Sequence, residues 1–493
     1  MTLNRGAQRA IIAIFFAVLA AVYVIAWFLP AIGLDHDDAI HLITARAIAA
    51  GHGYAIESLP HPIPQTSDPP FFPAVLALFT LVSQQTQWLK LLPLACAAGC
   101  LFLTRKLLLK MGASKNGALL LVGLTAASPT VVFLSTNLLP ESLFALLITA
   151  VLLALLEERA LLAGVFAGLA TLTQTAGVAL IAACILTLVV RRRFRNAAIF
   201  AGVAMAMAAP WFGWSLARVT HDVYRTSYAA SNILTGLAAN EKLVVLSRNL
   251  LSVLASPFSL ITGVSNILSV IGTIVVLIWC FYVRRQLVPD LFVALYCMAL
   301  LCRIAPPERF VAPMLPLVLW IVWRVLRLMA TREALAALIL IAAVFPLWED
   351  AARIFSSRAS GSFAIEGAPA DNWNEMQKLF GIIRADTAPD SVLLANLDGA
   401  FFLNTGRKAT RGFAPNAFNL FYAPQQAAVT PDQLSNAIAS ERVGYVVLTP
   451  DRGLAESTSF HKSVDALERG GVIEPVSVPG ASGDYRLFKV IAR

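Results

Sequence analysis

The sequence predicts a polytopic α-helical membrane protein of about eleven transmembrane helices, closed by a small α/β domain on the outer face of the membrane. Three observations carry this reading. Of 493 residues, 58% are apolar and only 14% charged, more apolar surface than one soluble core can hide, so lipid must cover much of it. The basic residues behind a net charge of +9 fall in short clusters between apolar runs and form no single basic face, which sets nucleic acid aside. From about Ser356 onward the chain turns polar, with Pro, Gly and Asn punctuation.

The basic clusters order the spans. They lie at Arg5/Arg9, Arg105/Lys106/Lys110/Lys115, Arg191/Arg192/Arg193/Arg195, Arg284/Arg285 and Arg324/Arg327/Arg332, with Arg159 in a weaker loop. If each is cytoplasmic, an even number of crossings separates consecutive clusters. Ile11 to Leu29 then goes out; its apolar run is too long for a signal peptide, so it is read as an uncleaved span. Leu91 to Thr104 returns, with Phe71 to Val82 a juxtamembrane helix or an extension of that span. Asn116 to Leu134 goes out and Ser142 to Leu156 comes back. Ala160 to Val190 is an uncharged stretch of about 46 Å as one helix, longer than a bilayer core of roughly 30 Å, so it is read as two short helices hinged at Thr173–Gly177. Ala197 to Ala217 goes out, and Pro257 to Val283 returns after a long outer loop (218–256) that holds a surface helix at Asn249 to Ala255. Leu291 to Cys302, Phe310 to Trp323 and Ala334 to Trp348 complete the set. Residues 1–350 thus form the membrane domain, with a first outer loop at 30–70, and 356–493 the soluble extracytoplasmic domain.

In that last domain Ser391 to Leu397, Tyr445 to Leu448 and Tyr485 to Ile491 read as strands. Asp371 to Ala385, Pro431 to Ser440 and Phe460 to Arg469 have helical spacing, and the alternation points to an α/β fold. All six cysteines (Cys96, Cys100, Cys184, Cys280, Cys297, Cys302) lie in apolar segments, so neither disulfides nor a thiolate zinc site is expected. There is no internal repeat, GxGxxG or phosphate-loop motif.

The same parity gathers the polar residues on one side. Asp35, Asp37, Asp38 and His61 fall in the first outer loop, Glu141 at the second and Gln174 at the third. His221, Arg225, Lys242 and Arg248 fall in the long loop, and Glu308 and Arg309 before the tenth span. Charge at a membrane boundary costs free energy unless paired or solvated, so this convergence marks a candidate site. Acids that accept a proton beside cations that hold a phosphate suit chemistry on an anionic lipid head group.

At these residues the sequence resembles a known family. Leu34 to Tyr54, with its Asp35-His36-Asp37-Asp38 start and Ala45-Arg46 helix, followed by Asp68-Pro69-Pro70-Phe71, is similar to the first outer loop of GT-C membrane glycosyltransferases of the protein O-mannosyltransferase and aminoarabinose-transferase type. Thr136 to Ser142 resembles their second acidic motif, Gly168 to Gln174 their hairpin motif, Ala209-Pro210-Trp211-Phe212 the end of a later span, and Pro307 to Pro316 their Arg-aromatic-Pro segment. The resemblance implies a sugar donor on polyprenyl phosphate, an extracytoplasmic acceptor, inversion at the anomeric carbon, and residence in the cytoplasmic (inner) membrane of a cell envelope. Asp37 matches the catalytic base and Asp38 the second acid of the pair. The chain departs from the pattern at Ile40 and Gln174, where some relatives carry cations. Donor phosphate binding is therefore expected from Arg309, steadied by Glu308, or from Arg225, Arg248 and Lys242.

Plainer readings stand beside these. The three aspartates also suit helix capping, Glu141 a first helical turn, Gln174 a hairpin turn, and Arg309 an interfacial anchor. Trp27, Trp211, Trp214 and Trp348 suit an aromatic belt. His36, Asp37, Asp38 and His41 form a candidate divalent-metal cluster. The alternative function is a secondary transporter or flippase, which would place ionisable groups at mid-membrane and show repeated halves; this chain's mid-span segments are nearly free of charge.

Overall fold

The computed structural model describes residues 5–218, 237–262, 269–271, 273–274, 287–303, 307–329, 332–362, 372–413, 417–423, 428–450 and 457–491. The first helices are α1 (Arg5–Phe28), α2 (Asp37–Ala49), α3 (Phe71–Val82), α4 (Thr86–Leu89) and α5 (Leu91–Lys110). There follow α6 (Lys115–Ala126), α7 (Pro129–Thr136), α8 (Glu141–Leu156), α9 (Ala160–Thr173), α10 (Gly177–Val190) and α11 (Phe194–Ala217). After residue 237 come α12 (Ala239–Thr262), α13 (Leu287–Leu301), α14 (Glu308–Val311), α15 (Leu315–Met329) and α16 (Arg332–Ser360).

Four of the described helical segments, Thr86–Lys110, Phe194–Ala217, Ala239–Leu260 and Arg309–Arg327, are long and apolar enough to cross a membrane. A fifth arises if α6 and α7, bent by 66°, count as one span. Six further apolar helices of 10–17 residues accompany them. Ser114 caps α6 by accepting from Gly117 N, and Pro129 opens α7. The hinge expected in 160–190 is present, with α9 and α10 separated at 174–176. Gly164 and Gly168, four apart on α9, let α11 approach closely: a Cβ on Gly164 would lie 2.8 Å from Phe200 O, and one on Gly168 2.7 Å from Met207 Cβ.

Two predicted boundaries move. Helix α12 begins at Ala239, ten residues before the surface helix expected at Asn249 to Ala255, and Asn249 is buried on it, donating to the carbonyls of Leu301 and Arg303 rather than facing outward. Helix α16 runs to Ser360, past the expected end at Trp348. Trp211 is also not a lipid-facing belt residue: it is buried, stacked on Trp214 at 5.4 Å and edge-on to Tyr54 at 6.0 Å.

Residues 372–491 build α17 (Trp373–Asp386), α18 (Asp398–Thr405), α19 (Ala417–Tyr422), α20 (Pro431–Ser440) and α21 (Ser457–Arg469) around a five-stranded sheet. After the small first-loop ribbon β1 (Ala55–Ile56) and β2 (Ile63–Pro64), the sheet strands are β3 (Val392–Leu394), β4 (Lys408–Thr410), β5 (Val443–Leu448), β6 (Ile473–Val476) and β7 (Arg486–Val490), in the order β4-β3-β5-β7-β6. β3 pairs in parallel with β4 and β5, and β7 antiparallel with β5 and β6. One continuous apolar core runs from Leu42 and Phe72 of the membrane domain to Phe380, Leu393 and Ala400 of this domain.

Candidate active site

Helix α2 starts at Asp37 directly after His36, a non-glycine residue at φ 58. That left-handed turn is costly, so the surrounding packing must hold it. A hydrogen bond from Asp37 N to Asp35 O at 2.6 Å tightens the same turn and sets the two carboxyls side by side. Glu141 reaches the same place from the first turn of α8, and Arg309 from α14.

Arg309 joins all three acids. Its Nε donates to Glu141 at 2.7 Å, one terminal nitrogen lies 3.1 Å from Asp35 and the other 2.9 Å from Asp37. The Glu141 side chain is 1% exposed and that of Arg309 18%, so these pairs sit where water screens little. One guanidinium cannot neutralise three carboxylates. Burial, with Asp37, Asp38 and Glu141 nearby and against the pull of Arg309, pushes the Asp35 carboxyl up to about 8. The second Glu141 oxygen is buried without a hydrogen-bond partner, and Glu141 lines a cavity of about 40 Å³ with Ser135, Ser142 and Cys100.

Of the other expected residues, Asp38 turns away and accepts from Gly33 N at 2.8 Å and its neighbour Ala39 N at 2.9 Å, so it fixes the loop. Gln174 sits at the α9–α10 turn with its buried Oε1 unpartnered. His61 is 83% exposed and stands 3.8 Å from Glu441, away from the Arg309 cluster, because the β1–β2 ribbon carries it toward the terminal domain. Arg248, exposed on α12, stacks over Tyr422 at 6.0 Å, and Lys242 has no ion pair among the described residues. His221, Arg225 and the Glu308 side chain lie outside the described residues. The four candidate metal ligands diverge. His36 faces Asp398, Asp37 faces Arg309, Asp38 takes backbone donors, and His41 packs edge-on against Phe72 with burial driving its imidazole down to about 4. No group of three or more His, Cys, Asp or Glu arranged for a metal occurs among the described residues.

Three groups enter that the sequence reading had not singled out for the site. Arg303 is half-buried over the Phe310 ring, 3.4 Å from its centroid, and its buried Nε has no hydrogen-bond partner. Among the described residues no carboxylate is within ion-pair distance of it. Its position at the end of an apolar run was a usable signal. Asp68 holds Gln65 by a 2.9 Å hydrogen bond, and burial, reinforced by Asp37 and offset by Arg303 and Arg309, pushes it up to about 7. From the terminal domain, fully buried Asp398 stands 3.8 Å from His36 and 3.5 Å from Arg411, a juxtaposition across more than 350 residues that no local pattern announces.

Short apolar helices, a long first loop with paired acids under an arginine, and a terminal α/β domain make up a fold that has solved counterparts. Two crystal structures of ArnT from Cupriavidus metallidurans share the fold over 98% of both chains. The one bound to undecaprenyl phosphate has a TM-score of 0.51 and the apo one 0.50, each at 11% identity. The cryo-EM structure of arabinosyltransferase EmbB from Mycobacterium smegmatis matches 77% of this chain and 44% of its own, at 18% identity and a TM-score of 0.37. No family model and no curated protein matches the sequence.

Proposed function

We propose that this protein is an inverting membrane glycosyltransferase that moves a sugar from a polyprenyl-phosphate donor to an extracytoplasmic acceptor. The observation that carries the proposal is the Asp35–Asp37–Glu141–Arg309 cluster, set in a fold shared with a protein solved with undecaprenyl phosphate. Asp37 accepts the acceptor hydroxyl proton as that oxygen bonds to the anomeric carbon. The bond from this carbon to the phosphate oxygen breaks, and the electron pair leaves on polyprenyl phosphate.

Arg309 is better cast as the holder of the acids than as the phosphate ligand, since its three nitrogens already face carboxylates. Arg303 is the cation left to meet the growing phosphate charge, a task that suits a guanidinium with open donors. The membrane orientation that serves this chemistry has the N-terminus cytoplasmic and the terminal domain outside. Purified Arg303→Gln should bind donor at least tenfold more weakly, with Arg303→Lys between it and the parent. Unchanged donor affinity in folded Arg303→Gln would remove this assignment. Loss of an envelope sugar modification on deletion, read by mass spectrometry of lipids and glycans, tests the function itself.

A further inference from the structure

At the far end of the helices from the Arg309 cluster lies a second cavity of about 220 Å³. Helix α5 measures the separation: Lys90, at its start, donates to the carbonyls of Leu29 and Ala31 beside the first loop, while Lys110 at its end lines the cavity, 20 residues or about 30 Å away. The wall is of two kinds. Leu107, Leu152, Leu155, Leu156 and Leu188 make it apolar, and Lys110, Arg191 and Arg193 make its rim basic.

The rim is built by two tight turns. Helices α8 and α10 end on residues with positive φ, Glu158 at 60° and Arg192 at 56°, so the chain reverses at once and keeps its charged side chains at the cavity mouth. Lys110 is held by Glu157 at 3.0 Å and Arg193 by Glu158 at 2.8 Å, whereas Arg191 has no ion pair among the described residues. Lys106, Lys110, Arg159, Arg191, Arg192, Arg193 and Arg195 outnumber these two acids by five. That surplus exceeds the roughly half negative charge that each of the three helix ends meeting here contributes.

We infer that this cavity is a binding site for an anionic glycerophospholipid, its phosphate on Arg191 and Arg193 and its acyl chains against the leucine wall. A basic rim over an apolar slot at the membrane boundary matches both halves of such a molecule, whereas a soluble phosphate has no use for the leucines. The site is independent of the transfer reaction.

The test titrates a fluorescent short-chain phosphatidylglycerol, and phosphatidylcholine as its zwitterionic partner, onto the full-length protein in neutral detergent. The parent should bind phosphatidylglycerol the more tightly. Arg191→Gln/Arg193→Gln should weaken it roughly thirtyfold, at about fivefold per basic residue, and leave phosphatidylcholine unchanged. Leu156→Trp, which fills the slot and keeps every charge, should also weaken it, while Arg105→Gln, an exposed basic residue outside the lining, should not. Equal affinity in the parent and the double variant overturns the proposal, as does an equal loss in Arg105→Gln. Displacement of the lipid by millimolar inorganic phosphate would reassign the site to a free anion. If the double variant does not fold, the contrast between Leu156→Trp and Arg105→Gln decides alone.

Discussion

Gly33 lies so close to Ala400 that a Cβ built on the glycine would stand 2.6 Å from the alanine Cβ. The contact is reciprocated: a Cβ on Gly399 would stand 2.8 Å from Ala39 Cβ, so the first outer loop and α18 interlock through two glycines. Gly33 also has φ +90, which adds backbone strain to the clash in any substitution. Gly399→Ala isolates the steric part. We expect it to lower stability by about 1–3 kcal/mol and to speed proteolytic release of the terminal domain, with Gly33→Ala worse. Unchanged proteolysis in both would mean the contact yields freely.

Asp37→Asn should cut transfer by about a hundredfold or more without loss of folding, since the amide keeps the shape but cannot take a proton. Near-parent turnover would move the base to another acid of the cluster.

Arg309→Ala should behave differently from a lost phosphate ligand. Removing it strands the buried Glu141 carboxylate and that of Asp37, for which about 3–5 kcal/mol of destabilisation is expected, whereas Arg309→Lys keeps the charge but not the three-way fork. Thermal midpoints with donor affinity per folded molecule separate the roles: a stable Ala variant that has lost only donor binding restores Arg309 as the phosphate contact.

The raised Asp35 carboxyl predicts a pH effect. Below about 8 it holds a proton; above, a further negative charge enters the cluster beside the proposed donor site, and the donor KM should climb. Because the folded carboxyl binds its proton more tightly than the unfolded one, stability also falls as pH rises from the ordinary carboxylate range through about 8. Asp35→Asn cannot ionise, so its donor KM should stay level across that window, and a KM that still climbs would assign the effect elsewhere.

Reporters fused after Arg195 and within the terminal domain should score on opposite sides of the membrane, the first cytoplasmic. Two scores on one side would overturn the charge-parity map and the orientation that rests on it.

Hydropathy and the basic clusters made most helix positions legible, down to the break between Thr173 and Gly177, because both signals are local in sequence. They also brought Asp35, Asp37, Glu141 and Arg309 to one face in advance. What they could not reveal was who pairs with whom. Arg309 meets Asp35 across 274 residues and Glu141 across 168, and only the folded chain shows its fork saturated, which is the ground for proposing Arg303 as the phosphate contact. The strands Lys408–Thr410 and Ile473–Val476 escaped notice because three- and four-residue runs are too short to show alternation. His36 gave no sign that its partner was Asp398, in a domain read as separate.

The brevity of α9 and α10 has a consequence for the lipid around them. Fourteen residues of helix reach about 21 Å, well short of a hydrocarbon slab of roughly 30 Å. If each of the two helices crosses the membrane, the bilayer would have to thin to meet the hairpin, at a cost of fractions of a kcal/mol per ångström of mismatch. Acyl-chain length would then act as a control parameter, with thin membranes favouring the folded hairpin and thicker ones straining it before any substrate arrives.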